Sequence, residues 1–578
     1  MRLTRRSALA APAAVALAVG AWGLHRGTLW RDEAVTWQVA RRTLPEIWHL
    51  AGSVDAVHAL YYALVHALFA LDPHPGEVVL RLPSLLGAAA TAALVAELGV
   101  RLARPRVGLW AGLAYAVTPL VSRYAQEGRS YALVGALVAL ATVLFTARRW
   151  VGYAAVLAAA GLLHVFALLV LPAHLLSLRL GAVPRTDRRR WALAAGSACA
   201  AVGPLLWWSR GQSGQVGWLE RPDAAAAGQL ALSFAGPSPV VAGTALALAA
   251  AGLLAAPRVA AVAAPLLLVP PALLLAVSQL EPLYYDRYVL FALPGLPLLA
   301  AAGLDALPAA PAALSRWRAG RTRGASPAPG AERAARPKRR EAAAAGGPGT
   351  AWPEHREAAA AGGPGAAPGG RGPVRGAGRA VRSEHRERTA AGGSGAVRGG
   401  RRQACGPAPV AYGLAGVLLV AAGFWAQYPV QARLRTPESR GDDFAAVARS
   451  ARALVRPGDA VLYVPDMGRR IALAYPDSFR AAADVGLAVP GPRSATLYGT
   501  ETDAATLRRR LARHDRVWLV LTNEAAKDPD WPSVTPAEHA KRTLLRTEFA
   551  ETGRRRLVHG RVVLVRYERL PRPAAAPP

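Results

Sequence analysis

The chain has 578 residues, 53% of them hydrophobic, with a mean hydropathy of +0.20 and a formal net charge of +32. Before residue 305 the apolar residues fall in long blocks, not at amphipathic spacing, which excludes a water-soluble fold for that part. The charge does not signal nucleic acid: residues 311–408 hold 19 arginines and lysines against six acids, and much of the rest flanks apolar blocks. No zinc-finger or other nucleic-acid motif occurs, and the two cysteines, Cys199 and Cys405, form neither a metal spacing nor a disulfide framework.

Arg2, Arg5 and Arg6 precede an apolar run that continues to Leu24, read as an uncleaved first membrane helix over roughly 8–24 with its basic end in the cytoplasm. Residues 34–80 mix Trp37, Trp48, Tyr61 and Phe69 with polar groups, a composition suited to helices lying at the membrane interface. Further spans are expected near 82–100, 107–121 and 131–147, then as two short helices turning near His164. Others follow near 191–208, 240–256, 259–277, 289–304 and 409–425, about eleven in all. This places the basic turns at Arg101–Arg106 and Arg148–Arg149 inside.

The expected organisation is a polytopic α-helical membrane domain over 1–305 and a disordered, basic, cytoplasmic linker over 306–408. The linker's Ala/Gly/Pro/Arg-rich composition offers too little apolar bulk to offset its ordering entropy. A last membrane helix over 409–425 leads to a small extracytoplasmic α/β domain over 426–578. There, 443–455 and 503–514 read as helices, and 460–464, 516–521 and 561–565 as strands. No Gly-rich phosphate loop follows any of these strands.

Four polar patches share one side of this layout: Trp30–Glu33, Asp55–His58, Arg123–Tyr131 and Tyr284–Tyr288. Ionisable groups held against apolar sequence are costly and usually functional. Asp32 and Glu33 suit a general base, or paired oxygen ligands for a divalent cation. Arg123, Gln126, Glu127 and Arg129, flanked by Tyr124 and Tyr131, bring forked donors that match phosphate oxygens. Tyr285, Arg287 and Tyr288 repeat that chemistry, with Arg287 either neutralising a phosphate or pairing with Asp286. His58 and His164 read more readily as hydrogen-bonded structural histidines than as ligands.

In this order, Asp32-Glu33, Asp55 with His58 and Tyr61-Tyr62, Arg81-Leu82-Pro83-Ser84, and Tyr124-Ala125-Gln126-Glu127 with Arg129-Ser130-Tyr131 resemble glycosyltransferase family 39. That family includes protein O-mannosyltransferases and lipid A aminoarabinose transferases and has the GT-C membrane fold; the likeness is strongest to actinobacterial mannosyltransferase-like members. The resemblance implies inverting transfer of a sugar, expected to be mannose, from a polyprenyl-phosphate donor to an acceptor hydroxyl outside the cytoplasmic membrane. It implies Asp32 as base, Glu127 orienting acceptor or donor, and Arg129 and Arg287 holding the lipid phosphate. The substrate site would also draw on Asp55, His58, Tyr61, Arg123, Tyr124, Gln126, Tyr131, Tyr285 and Tyr288. One departure stands out: many relatives carry His-Pro-Pro where His58 is followed by Ala59-Leu60, which weakens a role for His58 and a place in the protein-modifying subgroup. The acceptor stays open, and the competing reading is a transporter or flippase of envelope lipids.

Overall fold

The structure, a computed structural model, describes residues 4–307 and 408–571 except 73, 218, 529–530 and 559–560. Almost all of the expected linker lies outside the described residues.

After α1 (Arg5–Ala21) come three short helices, α2 (Arg31–Ala40), α3 (Leu44–Ser53) and α4 (Ala59–Phe69), then the long α5 (Glu77–Leu102). The next expected span is broken into α6 (Pro105–Ala116) and α7 (Pro119–Ala125), because Pro119 has no N–H to continue the ladder and biases Thr118 out of the helical region. Then α8 (Tyr131–Thr146), α9 (Trp150–Leu163) and α10 (Val170–Leu180) follow, the last two parted at His164 where the turn was expected. Next come α11 (Arg185–Ser209), α12 (Ala224–Ala235), α13 (Pro239–Ala255), α14 (Pro257–Val277), a 3-10 segment Asp286–Ala292, and α15 (Gly295–Ala306). Two helices, α16 (Ala408–Ala426) and α17 (Tyr428–Arg433), lead to the C-terminal region.

Among the described residues, three helices are long and apolar enough to cross a membrane, or five if the pairs bent by 85° and 42° each form one span. The expected total of about eleven would also require the shorter apolar helices to cross. Small residues let the helices meet closely: Gly99 of α5 lies against the Gly108 backbone of α6, and Gly87 against the backbone of Ala132 in α8.

Ion pairs fix the polarity of the bundle. Arg5 at the start of α1 bonds Glu97 near the end of α5 at 3.0 Å, and Asp305 at the end of α15 pairs with both Arg104 and Arg106. These basic ends therefore cluster at one end, and the end of α1, the start of α5 and the start of α8 lie at the other.

The C-terminal region opens with α18 (Phe444–Leu454). It then forms β1 (Ala460–Val464), β2 (Ala483–Asp484), β3 (Leu487–Val489), β4 (Thr500–Glu501), α19 (Ala504–Leu511), β5 (Arg516–Thr522), α20 (Pro536–Glu548), β6 (Phe549–Leu557) and β7 (Val562–Arg569). The main sheet runs β2-β1-β5-β7-β6, with β1 parallel to β2 and β5, and β7 antiparallel to β5 and β6. The continuous apolar runs of β1 and β5 follow from burial on both faces. Edge strand β6 carries exposed Arg554–Arg556, which blunts it against further pairing.

This region sits on the site end of the bundle. Buried Arg435, just past α17, donates to the carbonyls of Val19 at 2.7 Å and Trp22 at 3.2 Å and to Ser122 Oγ at 2.6 Å. It thereby satisfies carbonyls left orphaned at the end of α1. Arg31 pairs with Asp442 at 3.1 Å, Tyr475 donates to Glu77 at 3.0 Å, and Arg42 donates to the carbonyls of Thr496 and Leu497.

Candidate active site

The adjacent acids Asp32 and Glu33, in the first turn of α2, point to different cations. Glu33 is fully buried; Arg81 Nε and Nη2 each donate to it at 2.9 Å, and the Gly128 N–H donates at 2.8 Å. A side chain at Gly128 would run into Leu80, so this backbone donor depends on glycine. Burial raises the Glu33 carboxyl, but Arg81, Arg440 and the Gly128 N–H outweigh it and hold the acid below the ordinary carboxylate range. Arg81 also donates to the carbonyls of Leu24 at 2.8 Å and Gly27 at 3.0 Å. The whole forms a latch joining α1, α2, α5 and the start of α8.

Asp32, by contrast, keeps 24% of its side chain exposed and accepts from Arg287 Nη2 at 3.0 Å. The guanidinium of Arg287 thus pairs with Asp32, and Asp286 takes the Arg287 backbone N–H at 2.7 Å instead. Aromatic rings wall this cation: Tyr285 lies 4.1 Å from it, and Trp30 and Tyr131 each lie 5.5 Å away. Tyr131 packs on Tyr124, Tyr288 and His164, and Tyr124 Oη donates to Asp286 at 3.4 Å.

Arg129 donates to His58 Nε2 at 2.8 Å and to Thr36 Oγ1 at 3.4 Å. Because arginine only donates, His58 Nε2 must accept, which holds the ring in its neutral form with the other nitrogen protonated. Asp55 stands in the left-handed region at φ 60°, ψ 28° and accepts from Tyr62 Oη at 2.8 Å. Burial raises its carboxyl, with Arg129 only partly opposing. Glu127 is buried between Arg123 and Arg440, each at 3.6 Å, while its Oε2 has no hydrogen-bond partner. Burial raises Glu127 as well, against the pull of Arg440 and Arg123.

The four patches therefore meet, through direct contacts between Asp32 and Arg287, Glu33 and Gly128, Arg129 and His58, and Tyr124 and Asp286. Two of the expected residues do not join these contacts. Gln126 donates to the carbonyls of Gly20 and Trp22 at 2.8 Å, capping α1, and Tyr61 is buried in the apolar core. The paired-carboxylate cation site does not form, since Glu33 is spent on Arg81. No group of three or more metal-binding side chains occurs among the described residues.

Arg440 was not foreseen. It comes from beyond the last helices, donates to the Gln126 carbonyl at 2.6 Å, and stands 3.8 Å from Glu33 and 3.6 Å from Glu127. Nothing in its local sequence marks it, because its partners lie more than 300 residues earlier.

No family model matches the chain, and no curated protein matches it. Two solved structures do: ArnT from Cupriavidus metallidurans in the apo state, and ArnT from the same organism bound to undecaprenyl phosphate. Identities are 13% and 12%, the TM-score is 0.53 for both, and each match covers 96% of this chain and 97% of that one. At that distance the likeness carries the architecture and leaves the chemistry to the residues: the chain has the GT-C fold of ArnT.

Proposed function

We propose that the chain is a membrane glycosyltransferase that moves a sugar from a polyprenyl-phosphate donor to an acceptor hydroxyl, with Asp32 as the general base. The observation that carries this is the contrast between two neighbouring carboxylates. Glu33 is sealed in a latch, whereas Asp32 is the partly open acid and lies against a buried guanidinium. The fold of ArnT, one structure of which holds undecaprenyl phosphate, supports the donor class.

In this reading Asp32 takes the proton of the acceptor hydroxyl. The freed oxygen attacks the anomeric carbon from the face opposite the phosphate, and the carbon–phosphate-oxygen bond breaks with its electron pair going to the phosphate. Configuration inverts, and the polyprenyl phosphate leaves with added negative charge. Arg287 and Arg129 stabilise that charge in a site of low polarisability, where fixed cations act most strongly. Glu33, Arg81, Gln126 and Arg440 hold the frame. Mannose is the sugar the family resemblance favours.

The active face lies outside the cytoplasmic membrane in this reading, supported by the arginine cluster at the opposite end of the bundle. A lipid transporter would instead place its polar groups near the midplane on broken helices. The test is transfer from radiolabelled polyprenyl-phosphate mannose by the full chain in liposomes: wild type moves label off the lipid, and Asp32→Asn does not. Full turnover by Asp32→Asn would remove the base assignment.

A further inference from the structure

The α/β region carries a second polar site that the transfer step does not use. The chain leaves β1 toward β2 on one side and later returns to β5 on the other, so the carboxyl ends of β1 and β5 mark a topological switch point. In parallel sheets such a switch point is where ligands bind. Arg470, in the short helix after β1, reaches across it: Nη2 donates to Asn523 Oδ1 at 3.4 Å, just past β5. Asn523 Nδ2 also contacts Met467 Sδ, in the same segment after β1, at 3.1 Å.

Arg470 is only 6% exposed and lies over the Phe444 ring at 5.7 Å; Asp466, Asp32 and Asp55 share its neighbour Tyr498, yet among the described residues it makes no direct ion pair, and its Nε has no hydrogen-bond partner. Thr522, 2% exposed at the end of β5, also has an unpartnered hydroxyl. A buried guanidinium that makes no direct ion pair is costly. Thr522 immediately precedes Asn523, the residue Arg470 reaches, so a second unsatisfied donor stands at the same strand end. The cost is offset when an anion enters.

We propose that Arg470, Thr522 and Asn523 form an anion-binding subsite for a phosphate or carboxylate group of the acceptor. Arginine's fork and a hydroxyl donor are the usual partners of both groups. The helix bearing Arg470 packs on α2, the helix of Asp32, so an acceptor held there by its charge lies beside the base. Only the word acceptor rests on the transferase reading; the anion site stands on its own geometry.

The probe is inorganic phosphate, with acetate as the carboxylate arm and chloride at matched ionic strength as the control. Thermal unfolding of the detergent-purified full chain should show a saturable rise in Tm with phosphate or acetate. Arg470→Met should raise Tm without anion, because a buried cation with no direct ion pair is gone, and raise the half-saturating anion concentration about ten-fold or more. Thr522→Val should have a smaller effect, and with Arg287→Gln present throughout, which removes the donor-phosphate contact, the response that depends on Arg470 should remain. In that background, an anion response that is unchanged by Arg470→Met, is absent altogether, or never saturates overturns the proposal. Absence of sugar transfer by the wild-type chain, with an intact Arg470-dependent response, would instead remove the transferase reading alone.

Discussion

Replacing Glu33 separates an acid that holds the fold from its neighbour, the proposed base. Its carboxylate and the Arg81 guanidinium are 0% and 1% exposed and share two bonds of 2.9 Å. In Glu33→Met, Arg81 keeps its backbone carbonyls but loses its near counter-charge, leaving Glu77 at 3.6 Å as the nearest remaining acid. Breaking a buried pair from one side costs about 3–5 kcal/mol. Orphaning the Gly128 N–H accounts for about 1–3 kcal/mol within that. Glu33→Met with Arg81→Met removes both charges but also frees the carbonyls of Leu24 and Gly27, so the double should be less destabilised than the sum of the two singles, not restored to wild type. Equilibrium unfolding in mixed micelles, with the two singles and the double as a cycle, reads this directly. If Glu33→Met stays within about 1 kcal/mol of wild type, the latch is not what holds this end of the bundle. If Glu33→Gln instead keeps its stability and loses transfer, Glu33 shares the chemistry with Asp32.

Two further outcomes follow from the site. Arg287→Ala should impair use of the polyprenyl-phosphate donor by about 10²-fold or more in kcat/KM while leaving acceptor dependence nearly unchanged; equal effects on both substrates would argue against phosphate contact. Glu127, raised by burial, binds its proton more readily folded than unfolded. Acidification from about pH 7 should therefore stabilise wild type relative to Glu127→Gln, by no more than about 1.4 kcal/mol per pH unit. A difference in unfolding free energy that stays flat down to about pH 5 would contradict this.

The helical bundle was legible because apolar blocks and arginine turns are local signals. The turn at His164 and the strands β1 and β5 could be read the same way. The break before Pro119 was written in the sequence but overridden by the apolar run around it. Strand β6 was missed since an edge strand with Arg554–Arg556 outward has almost no apolar signature. The polar patches were visible as interruptions of apolar sequence. Their division of labour was not, because Asp32 and Glu33 are alike in type and differ only in which distant arginine each one meets. Arg81, Arg435 and Arg440 owe their roles to partners brought close by the fold, and no window of sequence contains both members.

Arg440 gives the molecule a built-in order of assembly. Glu33 and Glu127 are made early in synthesis, yet one of the cations facing both belongs to a residue translated more than 300 positions later. Until the ribosome passes that point, the acids share their enclosure with one counter-ion fewer, and Arg435 has not yet tied off the end of α1. A nascent chain halted before residue 440 would hold Asp32, Arg129 and Arg287 and still lack the Arg440 clasp on Glu33, Glu127 and the Gln126 carbonyl. Closure of this end of the bundle thus waits for residues far along the chain.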